Sequence, residues 1–222
     1  MGTKAVWLYR SFRSLLDSCA VVSRQHLLHL GVGVRGVEAG GLRIPIGREK
    51  MRGGSLCSDD MPAIAIRPYR SDDVSDLVAL FRASVRSLGR RDYTHAQVQA
   101  WAPDLIDESS FARRCLTKST WIAECEHRIA GFSDIESDGH IDMLYVHPDF
   151  HRRGVARALL AHIHEIAQTR GMERLYTEAS ITARPAFEAV GFQVVTAQTV
   201  TVRGESMTNY RMEKQINRAP RP

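Results

Sequence analysis

The chain has 222 residues, a formal charge of +5 at pH 7, and 44% hydrophobic against 25% charged residues. That is enough for one full domain with an appendage, of ordinary globular composition, and no run approaches the roughly 20 apolar residues that a spanning helix needs. Residues 1–60 hold nine Lys/Arg against five Asp/Glu, and residues 61–222 hold 21 against 20, so the larger part has no bulk electrostatic case for binding DNA or RNA.

In the first 25 residues, Leu8, Phe12, Leu15, Leu16, Cys19 and Val22 share one helical stripe. Arg10, Arg13 and Asp17 interrupt what would be the apolar core of a secretory signal, and the Arg- and Ser-rich start resembles an organelle transit peptide. Residues 31–54 are rich in glycine and lack an apolar period, so they cannot bury much surface. Residues 1–60 are therefore expected to be a disordered or non-native leader, with natural translation starting at Met51 or Met61. Residues 61–215 are expected to be the folded domain and 216–222 a tail. The glycines of Gly31-Val-Gly-Val-Arg-Gly36 spell a dinucleotide fingerprint, but Pro45 follows where a helix is needed, so the match is fortuitous.

From Met61 the pattern becomes regular. Residues 64–66 alternate as a strand, and Ser71-Asp-Asp73 offers an N-cap with acids in the first turn of a helix over 72–87. Short helices are expected at 94–101 and 108–116, and a hairpin joins strands 121–125 and 128–132. A strand at 140–146, a strongly amphipathic helix at 155–169, a strand at 175–179, a helix at 184–190 and two final strands complete the order. Hairpins favour antiparallel pairing and the 155–169 crossover a parallel one, so the expected class is α/β, with one mixed sheet flanked by helices. The four cysteines are scattered, without a C-x-x-C pair or a histidine at ligand spacing, which argues against zinc or a disulfide framework and suits a reducing compartment. His162 and His164 lie two apart on a helix and cannot share a metal as an i, i+4 pair could; no metal is expected.

The informative stretch runs from Leu144 through Tyr145, Val146, His147 and Pro148 to Leu160. A strand ends at Val146 and a helix starts near Gly154, with Arg152 and Arg153 at the junction. N–H groups at a helix start lack intrahelical partners and point outward with the positive end of the dipole. Gly154 permits close backbone approach, Ala156 leaves room, and Arg152, Arg153 and Arg157 add positive charge: the description of a diphosphate cradle.

These residues resemble the acetyl-CoA motif of the GNAT superfamily of N-acetyltransferases, Q/R-x-x-G-x-G/A. Ala183 to Phe192 resembles the second motif, A-x-x-F-Y-x-x-x-G-F, in the right order and spacing. Within the superfamily, Asp92-Tyr93, Trp101-Ala-Pro103, Ile141-Asp142 and Thr208-Asn-Tyr210 resemble the uncharacterised YafP-like bacterial acetyltransferases. The resemblance implies a GNAT fold. It also implies pantetheine against the backbone of Leu144, Tyr145 and Val146, in a gap beside the strand at 175–179. The diphosphate would rest on Arg152, Arg153, Gly154, Val155, Ala156 and Arg157. The expected partners are acetyl-CoA as co-substrate and a small-molecule amine, with no nucleic acid and no membrane, in a cytoplasmic monomer or homodimer. A protein N-terminus or lysine as acceptor, or a non-catalytic CoA-binding module, are the alternatives.

His151 replaces the family's Gln or Arg. Phe187 stands where many members carry a tyrosine that protonates the departing thiolate, and phenylalanine has no proton to give. Tyr210, Ser180 or water are the substitutes. An acceptor ammonium must also be deprotonated. Asp142 is the expected base, because alternation puts it on the face of Leu144 and Val146; Asp134 and Glu136 are the alternatives. Tyr93 and Trp101 are expected to line the acceptor pocket, with a core-anchoring role for Trp101 as the rival reading.

Overall fold

The computed structural model describes residues 63–216, so the expected leader and everything after Ile216 lie outside the described residues. Ile216, expected to open the tail, is buried, and its N–H bonds the carbonyl of Glu173 at 2.9 Å.

The chain runs β1 (Ala65–Pro68), α1 (Val74–Leu88), α2 (His95–Trp101), α3 (Glu108–Thr117), β2 (Ser119–Cys125), β3 (Arg128–Ile135), β4 (His140–Ile141), β5 (Leu144–Val146), α4 (Val155–Thr169), β6 (Arg174–Ser180), α5 (Arg184–Glu188), β7 (Gln193–Val202) and β8 (Glu205–Gln215). Local chemistry explains several boundaries. Thr94 caps α2 by accepting from the Gln97 N–H, and Asp107 caps α3 by accepting from Ser109 and Ser110. At the start of α1 the expected cap is displaced: Ser71–Asp73 is a 3-10 turn, and the Asp73 carboxylate does the work, taking the Arg70 N–H and a two-pronged Arg67 contact at 2.8 Å.

The α/β class holds, but the strands form two four-stranded sheets, ordered β1-β2-β3-β5 and β4-β6-β8-β7. The single strand expected over residues 140–146 breaks at Asp142 and Met143. Its first part pairs parallel with β6 and its second antiparallel with β3. Helix α4 buries one face across both halves: Val155 and Leu159 pack with Ala123, Ala130 and Phe150, while Leu160, Ile163 and Ala167 pack with Leu175, Phe187 and Met212. Each large apolar side chain buried this way contributes about 1.5–3 kcal/mol, so the helix ties the two sheets together beneath their point of separation. The seat is close, because a Cβ on Gly131 would lie 2.8 Å from both the Tyr145 carbonyl and Val155. On the opposite face α1, α2 and α3 cover Ile122 and Phe132 of one sheet and Val202 and Met207 of the other.

Candidate active site

The break between β4 and β5 is built by two neighbouring residues on β3. The Asp134 carboxylate accepts the consecutive N–H groups of Asp142 (2.9 Å) and Met143 (2.8 Å). The Met143 carbonyl accepts from the Asp134 N–H (3.2 Å) and the Ser133 hydroxyl (2.7 Å). Ser133 and Asp134 are wholly buried. Stapled this way, the strand cannot continue its ladder with β6. Met143 and His147 spend their backbone bonds on β3, so alternation turns the N–H and C=O groups of Leu144 and Val146 to the other edge. Among the described residues no strand occupies that edge.

The resulting cleft, about 850 Å3 and open to solvent, runs between β5 and the end of β6. The C-terminal end of α1, Trp101, His151, Ala156 and Phe187 complete its walls. At one end α4 begins. Gly154 has φ +85°, a left-handed conformation that side chains resist, and a Cβ there would meet nothing closer than Ile64 at 3.9 Å. The N–H groups of the first turn of α4 have no carbonyl to bond within the helix. Open space, an array of donors and the positive end of a helix dipole suit an anion. The three arginines divide the work differently from the sequence expectation. Arg152 and Arg157 are exposed, whereas the Arg153 side chain pairs with Glu126 of the β2–β3 turn and lies 5.0 Å over the Phe150 ring.

At the other end is a cluster of charges. Asp142 lines the cleft, but its side chain is only 3% exposed, and one oxygen takes contacts from Arg114 (Nε at 3.0 Å, and Nη2) and Lys118. Burial would raise its carboxyl pKa, yet the two cations outweigh burial and hold it below the usual value. A carboxylate satisfied by two cations is a weak proton acceptor, which works against the base role expected of Asp142. Asp134 holds the strand break and is pushed up to about 6 by burial, with Asp142 adding to the effect. Glu136 lies against Lys118 at 2.8 Å and is held at about 2, chiefly by its hydrogen bond with His140.

His140 sits between two carboxylates, Nδ1 at 3.0 Å from Glu136 and Nε2 at 2.7 Å from Glu178, and stacks on Tyr176 at 4.8 Å. Burial alone would lower its pKa, but the two glutamates prevail and raise it to about 10, so the imidazolium is the resting form. A raised histidine stabilises the fold fully below its ordinary 6.5 and loses that contribution as pH climbs through about 10. A depressed Glu136 contributes fully above 4.5 and loses it as pH falls towards about 2. The difference in unfolding free energy between the native chain and His140→Gln is therefore expected to be greatest at pH 4.5–6.5 and to shrink towards both limits. Urea melts from pH 4.5 to 10 measure it, and an unchanged difference at pH 10 would remove the imidazolium clamp.

Tyr93 is 7% exposed, and its hydroxyl is spent on structure: it donates to the Thr208 carbonyl (2.7 Å) and accepts from the Ile181 N–H (2.9 Å). It does not line the cleft. Trp101 does, while also standing edge-on to Tyr93 (5.6 Å) and Tyr145 (6.4 Å), so its lining and anchoring roles coexist. Ser180 lines the cleft and caps the following turn through the Ala183 N–H at 3.0 Å. Tyr210 is not among the lining residues; its ring lies beneath the Arg184 guanidinium at 4.6 Å. Arg114, Lys118, His140 and Glu178 escaped the sequence reading. Arg114 lies 28 residues from its carboxylate, Glu178 lies 38 from His140, and no local pattern marks either pairing.

Comparison with known proteins agrees with this fold. The family model described as "Acetyltransferase (GNAT) domain" matches residues 90–214. The chain is 39% identical over 153 residues, 68% of its length and 96% of the relative's, to the uncharacterized N-acetyltransferase YafP of Escherichia coli. A crystal structure of a GCN5-related N-acetyltransferase from Rhodopseudomonas palustris superposes with a TM-score of 0.67 at 36% identity, covering 70% of this chain and 97% of that one. The PaiA N-acetyltransferase of Thermoplasma acidophilum, solved in complex with coenzyme A, shares the fold with a TM-score of 0.57 at 16% identity, covering 69% and 99%. Fold, cleft and sequence together place the chain in the GNAT family of N-acetyltransferases.

Proposed function

We propose that the chain transfers the acetyl group of acetyl-CoA directly to the amine of a small molecule within the β5–β6 cleft. The observation that carries this reading is the strand break, which turns the backbone groups of Leu144 and Val146 into an edge that no strand occupies among the described residues. Such an edge suits the amides of a pantetheine arm, which would add to β5 as a short strand would. The first turn of α4, from Gly154 to Arg157, would hold the diphosphate. With the thioester at the strand break, an amine entering from the side of Trp101, Tyr145 and Glu178 meets its carbonyl carbon without a covalent enzyme intermediate. The solved relative with bound coenzyme A, and another from Salmonella typhimurium with acetyl-CoA, support the choice of donor.

The exposed part of the cleft suits a cationic acceptor: the Glu178 carboxylate lines it with its side chain 23% exposed, and among the described residues no lysine or arginine does. Calorimetric titration with acetyl-CoA is expected to give binding. Thiol release is expected with at least one of tyramine, phenylethylamine, spermidine and lysine. A chain that binds no acetyl-CoA would overturn the reading. Acetyl transfer only to a protein, seen by mass spectrometry of cell protein, would replace the small-molecule acceptor.

Phe187 motivates a second reading, a CoA-binding module without turnover. Its ring is 2% exposed, packs against Phe192 at 5.1 Å, and reaches the cleft wall. A hydroxyl added there enters an apolar setting, so Phe187→Tyr is expected to lower stability by about 1 kcal/mol and leave turnover unchanged. Thermal melts and thiol release check both. A large rise in turnover would show that the chain lacks an acid it could use.

A further inference from the structure

Four carboxylates surround the acceptor end of the cleft, and all four have partners within the protein. Asp134 is wholly buried and spent on the N–H groups of the strand break. Asp142 is 3% exposed and answers Arg114 and Lys118. Glu136 is shared between Lys118 and His140 and does not line the cleft. Glu178 differs. It lies on β6 directly across the gap from β5, lines the cleft, and keeps its side chain 23% exposed. Its Oε2 is fixed at 2.7 Å from His140 Nε2, and Glu136 at 3.0 Å fixes the ring's other nitrogen. His140 is shared between Glu178 and Glu136, as Lys118 is shared between Asp142 and Glu136. What separates the two cleft carboxylates is that Glu178 keeps its side chain 23% exposed and Asp142 only 3%.

We propose that Glu178 is the carboxylate that accepts the hydrogen bond and then the proton of the acceptor ammonium, and that His140 is the positioning residue that orients it. The assignment rests on the transfer reading above. One ammonium proton passes to Glu178, and from there to solvent. The freed nitrogen lone pair forms the C–N bond at the thioester carbonyl, and the C–S bond breaks with its pair leaving on sulfur. The second proton, carried by the nitrogen of the adduct, ends on that sulfur, so an amine cation and a thioester give an amide, a thiol and one released proton. The groups around Glu178 and its clamp include His140 on β4, Glu136 after β3, Tyr176 on β6, Asp142 at the strand break and Arg211, the register partner of Glu178 on β8. Removing the His140 cation makes Glu178 more basic.

The test measures acetyl-CoA binding by calorimetry and thiol release from about pH 4 to 10, so that the range covers ordinary carboxylate titration, using the fastest amine of the four named above. Glu178→Gln is expected to bind acetyl-CoA within about twofold of the native chain. Its turnover at pH 7 is expected to fall about 10²- to 10⁴-fold, recovering in part as pH rises and free amine appears. His140→Gln is expected to move the acidic limb of the pH profile to higher pH, a shift that a merely structural role would not produce. If Glu178→Gln unfolds, Glu178→Asp serves in its place: it withdraws the carboxylate by one methylene and should show a reduced turnover with unchanged acetyl-CoA affinity. Native kcat and KM for Glu178→Gln at every pH would overturn the proposal. So would a pH-rescued loss confined to Asp142→Asn, which would return the base to Asp142. A native chain that binds acetyl-CoA but releases no thiol with any amine would instead remove the transfer reading, and this assignment with it.

Discussion

Gly154→Asp is expected to weaken acetyl-CoA binding by about 100-fold or more while leaving the fold in place. Two effects combine at this residue. A side chain at φ +85° costs on the order of 1–3 kcal/mol of backbone strain. The added carboxylate also stands where the first turn of α4 presents its donors, so it competes for those N–H groups and repels a diphosphate. The same carboxylate suits a helix N-cap, which offsets part of the strain and keeps the variant folded. Gly154→Ala separates the effects, since it carries the strain without the charge and should bind only modestly worse. Calorimetric titration reads the affinity and a thermal melt the fold. An affinity within twofold of the native chain for Gly154→Asp would mean that the diphosphate does not rest at this helix start.

Asp134→Ala is expected to be the most destabilising single change at the site. It leaves the N–H groups of Asp142 and Met143 without their acceptor, and a buried unsatisfied donor costs about 1–3 kcal/mol. It also removes a negative charge from the surroundings of Lys118, 3.9 Å away. Together these should lower the melting temperature by about 10 °C in a domain of this size, where each kcal/mol is worth about 2–4 °C. Binding of acetyl-CoA should fall as well, because the strand break that parts β5 from β6 loses its staple. Asp134→Asn keeps an oxygen able to accept both bonds and should lose far less. If the Ala variant melted within about 2 °C of the native chain, the break would have to be held by something other than this carboxylate.

The helices and the glycine that opens α4 were legible from the sequence because their causes are local. Helix α4 declares itself by apolar residues at 3.6-residue spacing, and its bounds, 155 to 169, agree with the pattern. Gly154 is legible because a strand, a glycine and a helix start follow one another along the chain. The family resemblance rests on that same contiguous stretch and on residues 183–192, and the comparison bears it out.

Where alternation was extended through residues 140–146, the tertiary structure decided otherwise. A strand's alternation assumes an unbroken ladder, and the carboxylate that breaks this one sits on β3, eight and nine residues before the two N–H groups it holds. That break divides the expected single sheet into two and opens the cleft. It also gives Asp142 its surroundings, since Arg114 and Lys118 arrive from the far end of α3 and the turn beyond it. Tyr93 is diverted in the same way: its hydroxyl is claimed by Thr208 and Ile181, 115 and 88 residues away. The sequence by itself determined most of the elements, the glycine-led start of α4 and the family, all properties of adjacent residues. Only the tertiary structure decided which carboxylates line the cleft and which cations answer each of them, because a proton's affinity for a group depends on the charges and solvent that folding brings to it.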